Sequence, residues 1–115
     1  MPTKPLETAC FHFAVRIAKL AQKLQDERRD LALSSEVLKT GTNIGFLVSE
    51  AELEKDSEEY TDMIEAALKE AKRTHYWLSI IEGTGWLPET LAFGLKSDCE
   101  KLIERLQMAK SGVNT

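Results

Sequence analysis

The chain has 115 residues, 43% of them apolar and 30% charged, a size that buries one core without metals or disulfides. Its 15 basic and 19 acidic residues leave a net charge of −4, which excludes broad charge-driven binding to nucleic acid or anionic lipid and leaves room for a local basic patch. No apolar run approaches the ~20 residues that span a bilayer, and Met1-Pro2-Thr3-Lys4-Pro5 lacks the apolar core of a signal peptide, so a cytoplasmic protein without a membrane partner is expected.

Helical periodicity runs through the whole chain, and no alternating β-branched run or Asn-Gly hairpin signal interrupts it. The first segment, about 6–25, places Leu6, Cys10, Phe13, Ile17, Leu20 and Leu24 at steps of four and three. Asp26-Glu27-Arg28-Arg29-Asp30 forms a charged break. The second segment, about 32–53, repeats the spacing with Leu33, Val37, Thr40, Ile44, Leu47 and Ala51, with Ser34 or Ser35 as a candidate cap. The third, about 57–82, carries Tyr60, Ile64, Ala67, Ala71, Thr74, Leu78 and Ile81 behind an N-cap at Asp56 or Ser57. Gly83-Thr84-Gly85 then supplies a left-handed C-terminal cap. The fourth, about 88–110, opens at Pro88 and presents Leu91, Leu95, Cys99, Leu102, Leu106 and Ala109. Residues 111–115 are expected to fray.

Four such stripes with short connections predict an all-α fold. It is a single-domain (1–115), left-handed, antiparallel up-down-up-down four-helix bundle in which the second and third helices form a long hairpin. In that arrangement Cys10 and Cys99 differ in height by roughly 10 Å at 1.5 Å per residue. A disulfide needs Cα atoms within about 7 Å, so two free thiols packed as small apolar groups are expected.

Gly41 and Gly45 lie inside the second stripe, where each costs roughly 1 kcal/mol relative to alanine. A close helix approach explains them, and two partners are open: a neighbouring subunit, or the third helix of the same chain at Ala67 and Ala71. Neither a strand before them nor a Gly-Lys-Ser/Thr after them supports a phosphate loop. Between residues 50 and 65 eight acids stand against Lys55 alone. A di-iron bundle needs Glu-x-x-His pairs, and neither His12 nor His75 has an acid three residues before it. The acids therefore read as a solvated turn that complements the start of the third helix, with no metal or other cofactor. Lys69, Lys72, Arg73 and His75 make the best nucleic-acid candidate, with Tyr76 and Trp77 either stacking on bases or packed at the bundle or subunit interface. No nucleophile, acid–base pair or small-molecule site emerges, so no catalytic residue is assigned.

The segments Gly41-Thr42-Asn43-Ile44-Gly45, Glu50-Ala51, Ser57 before Tyr60, and Ala67-Leu68-Lys69-Glu70-Ala71 through Thr74-His75-Tyr76-Trp77-Leu78 resemble a bacterial family. It is the four-helix-bundle family first noted as reading frames in intervening sequences of 23S rRNA genes. Thr40 and Asn43 stand where that family tends to have serine, and Phe46 and Leu47 where it tends to have Ala and Asn. The resemblance implies a ring-shaped homo-oligomer, typically a pentamer. A related accessory protein of diversity-generating retroelements forms such a ring and binds its reverse transcriptase and RNA through a basic surface. It further implies an accessory or scaffold role with RNA or a ribonucleoprotein as partner, and places Glu50 at a recurring position, to pair with Lys69 or Arg73. The alternative is a protein-binding module anchored by Phe46, Leu47, Trp77 and Trp86.

Overall fold

Apolar side chains recurring every three or four residues reach a common core only if the backbone between them is helical. The computed structural model, which describes residues 5–27, 29 and 31–112, has four such helices. They are α1 (Pro5–Asp26), α2 (Leu31–Leu53), α3 (Glu59–Thr84) and α4 (Glu89–Lys110). No strand occurs among the described residues. Arg28 and Asp30 of the expected charged break, and residues 113–115 of the expected fray, lie outside them.

Helix ends follow local chemistry. The turn after α2 is closed by Glu54 and Ser57 amides donating to Ala51 and Glu54 carbonyls at 2.9 and 3.0 Å. Glu58 occupies the cap position of α3 without a side-chain bond. The Ser57 hydroxyl accepts the Glu59 amide at 3.1 Å, so the serine serves the first turn from one residue further out. Gly85 ends α3 at φ 75°, its amide donating to Glu82, a backbone conformation that side chains with a Cβ adopt at a cost. Pro88 precedes the first residue of α4, and its carbonyl accepts the Leu91 and Ala92 amides at 3.0 and 3.1 Å. Neither Ser34 nor Ser35 caps α2. That helix already begins at Leu31, and Ser34 is fully buried within it.

The core holds the central residues of all four stripes, from Leu6, Cys10 and Ile17 through Val37, Ile44 and Ile64 to Leu95, Cys99 and Leu106. Stripe ends are looser: Leu33, Leu47, Tyr60 and Leu91 are only half-buried and pack against this cluster. Packing runs α1 on α2, α2 on α3 and α3 on α4, while α1 and α4 meet along a much thinner seam. The result measures 45 × 21 × 19 Å. No helix is long and apolar enough to cross a membrane among the described residues.

Candidate functional site

The glycine pair faces α1. A Cβ placed on Gly41 would stand 2.9 Å from Ile17 Cγ2 and 3.1 Å from its Cγ1, and one on Gly45 would stand 3.3 Å from Cys10 Cβ. The expected intrachain partner, α3 at Ala67 and Ala71, is replaced. The reason is helical phase: Gly41 and Gly45 occupy one edge of α2, whereas Thr40 and Asn43 occupy the edge that meets α3. Along that second edge the contacts are polar. The Thr74 hydroxyl lies 2.9 Å from Thr40 Oγ1 and 2.8 Å from the Glu70 carbonyl, and Thr40 donates to the Glu36 carbonyl at 3.1 Å. Ala71 turns toward α4, its carbonyl accepting the Cys99 thiol at 3.3 Å.

Glu70, 9% exposed, explains what becomes of the expected basic patch. Its carboxylate accepts from Asn43 Nδ2 at 3.1 Å and from Arg73 Nη1 at 2.5 Å. His75 Nε2 lies 2.9 Å from Glu100 Oε2. Half of the patch is therefore matched by carboxylates, leaving Lys69 and Lys72 exposed and outside any ion pair among the described residues. Both lie close enough to Glu65 to act on its carboxyl, which the Lys110 ammonium at 2.5 Å holds below its ordinary value. Glu50 makes no ion pair among the described residues: Asn43 lies beside Glu70 and Thr40 beside Thr74, so Glu50, two turns further along α2, is not level with Arg73, which Glu70 engages. Tyr76 is 60% exposed and meets Trp77 edge-on, ring centroids 5.3 Å apart. Trp77 packs against the core, and its buried Nε1 finds no acceptor among the described residues.

Exposed apolar side chains are spread over the molecule, Leu53 and Phe93 the most open among them, and one set includes residues of α1 and α2. Phe46 is 59% exposed, Phe11 41% and Val15 38%. Phe11 and Phe46 flank an open groove of about 270 Å³ whose floor is Cys10, Ala14 and Gly45. Glycine at 45 makes that floor low. Glu7 is the one charged residue lining the groove.

A second charged surface escaped sequence reasoning. Two open grooves follow the thin α1–α4 seam: Arg16, Lys19 and Lys23 of α1 line one of about 200 Å³ with Leu91 and Leu95, and Arg16, Lys101 and Arg105 line the next, of about 210 Å³. Arg16 pairs with Asp98, and Lys23 with Glu27 at 2.8 Å. Lys19, Lys101 and Arg105 enter no ion pair among the described residues. The signal was present as basic residues at 16, 19 and 23 and at 101 and 105, but only the fold joins two rows about 80 positions apart in sequence.

Both thiols are free, and burial pushes each up to about 12, which leaves neither as a thiolate nucleophile at neutral pH. Among the described residues no group of three His, Cys, Asp or Glu side chains is placed to hold a metal ion.

The family described as 23S rRNA-intervening sequence protein matches residues 7–108. A crystal structure of a protein of unknown function, from the S23 ribosomal protein family of Bacteroides thetaiotaomicron VPI-5482, is similar at a TM-score of 0.87 and 28% identity. That similarity covers 91% of this chain and 97% of the other. No curated protein matches.

Proposed function

The chain belongs to the 23S rRNA-intervening sequence protein family, and on that premise we infer a non-catalytic accessory or scaffold protein that assembles with copies of itself and binds RNA or a ribonucleoprotein. The helices in this reading run antiparallel, up-down-up-down and left-handed, and the ring is a pentamer. Two free buried thiols suit a reducing cytoplasm.

The observation that carries the reading is the apolar α1–α2 groove, which has Glu7 as its one charged lining residue. In a chain with 30% charged residues, Phe11 and Phe46 are exposed and line this groove rather than the core. Contiguous apolar surface of this kind marks a protein contact. Lys19, Lys101 and Arg105, unpaired among the described residues, supply cations for phosphates along the α1–α4 seam. Light scattering tests the assembly: a multiple of 12.9 kDa is expected for the parent, and a single-chain mass for Phe46→Asp. A parent of single-chain mass removes the ring. RNA retention that weakens as salt rises tests the partner.

The same face also favours the alternative, a module for a different protein with no nucleic-acid binding. Its anchors would be Phe46 and Phe11, since Leu47, Trp77 and Trp86 pack against the core. A protein partner that survives nuclease treatment, together with absent RNA retention, would select it.

A further inference from the structure

We propose that the α1–α4 seam is the phosphate-binding groove for a single RNA strand. The proposal rests on the RNA-binding reading above and adds the place, which differs from the α3 patch that the sequence singles out.

Charge is the first argument. The molecule carries −4 overall, yet Lys19 in one groove and Lys101 and Arg105 in the next lie along one seam with no carboxylate paired to them among the described residues. Asp98 offsets Arg16 within the seam and Glu27 offsets Lys23 at its end, so the surplus is those three cations. On α3, by contrast, Glu70 and Glu100 already engage Arg73 and His75.

Shape is the second. The thin contact between α1 and α4 leaves open grooves along the seam, one at Lys101 and Arg105 and another of about 200 Å³ at Lys19, Lys23 and Leu91. Steps of three or four residues on α1 advance ~5 Å each, the same order as the interval between successive phosphates on a strand. A row of cations in a channel suits a linear polyanion. Apolar walls at Leu20, Leu91 and Leu95 lower the local dielectric and strengthen each contact. The α1–α2 groove shares no lining residue with the seam, although the two adjoin along α1 where Phe11 meets His12. Assembly through the first is compatible with an open seam, and repetition around an oligomer multiplies the contacts.

The test is fluorescence anisotropy of a labelled uridine homopolymer against the full chain. The seam is altered by Lys19→Glu with Lys101→Glu, and the α3 patch by Lys69→Glu with Lys72→Glu. All four lysines are exposed, and melting temperature checks folding. Lys19→Gln with Lys101→Gln takes its place if that variant unfolds. The seam variant should lose at least about tenfold in affinity. Its slope of log affinity against log salt should be shallower by about 1.4, at ~0.7 per lost phosphate contact. The α3 variant should stay within about twofold of the parent. Equal losses in both variants, or parent-like binding by the seam variant, overturn the assignment and leave RNA binding standing. So does polyglutamate that displaces the RNA as well as an equal charge of uridine polymer. A parent that shows no salt-sensitive retention overturns the functional reading and this assignment together.

Discussion

Gly41 rests against Ile17 so closely that a single added carbon would stand 2.9 Å from the isoleucine's Cγ2. Ile17 is fully buried and β-branched, so it has one comfortable rotamer and no solvent to move into. The glycine is where α1 and α2 come together, and the contact is made within one chain.

Gly41→Ala therefore sets two effects against each other. Alanine favours the helix by roughly 1 kcal/mol, while forcing a methyl into a packed core costs typically 1–3 kcal/mol. The overlap with three Ile17 atoms makes the second win. Urea unfolding should show a net loss of about 1 kcal/mol for Gly41→Ala. Gly45→Ala, whose nearest contact is a tight 3.3 Å to Cys10 Cβ, should be close to neutral, because the helix gain of roughly 1 kcal/mol offsets the small shift needed there.

Glu70→Leu removes the acceptor of the Asn43 amide and of Arg73 at once. Arg73 is well exposed and returns to water, but Asn43 is left half-buried without its partner. A loss of about 1–3 kcal/mol is expected, whereas Glu70→Gln, which keeps an acceptor, should lose less. Chemical denaturation of both variants decides whether the α2–α3 seam depends on this carboxylate.

The Glu65 carboxyl is held below its ordinary value by the Lys110 hydrogen bond, with Lys69 and Lys72 adding to the effect. A depressed folded value means a contribution present above the unfolded value of 4.5, lost as pH falls through the folded one. The parent should thus lose melting temperature on acidification below about pH 4.5 by a little more than Lys110→Gln does. The difference should shrink in high salt, because the pair is exposed.

Cys10 and Cys99, pushed up to about 12 by burial, should be inert to an alkylating reagent at pH 8 in the folded protein. Only about one thiol in ten thousand is ionised there. Both should react on unfolding. Raised folded values also mean that the unfolded chain ionises first, so stability should fall as pH rises above the ordinary thiol value of 9.0. Mass unchanged by reductant checks that no disulfide forms.

The sequence by itself determined the four stripes, the left-handed stop at Gly85 and the family, because each rests on neighbours a few residues apart. Leu6, Cys10, Phe13 and Ile17 point one way in any helix of 3.6 residues per turn. What lies at the edges of a stripe is different. Whether Gly41 meets α1 or α3, and whether Asn43 reaches Glu70, depends on how far each helix rotates when the whole core packs. No local rule carries that rotation. The pairing of Arg16 with Asp98, and the placing of Lys19 on the same seam as Lys101 and Arg105, bring together positions about 80 residues apart in sequence. Tertiary structure alone decided where this acidic protein collects its positive charge.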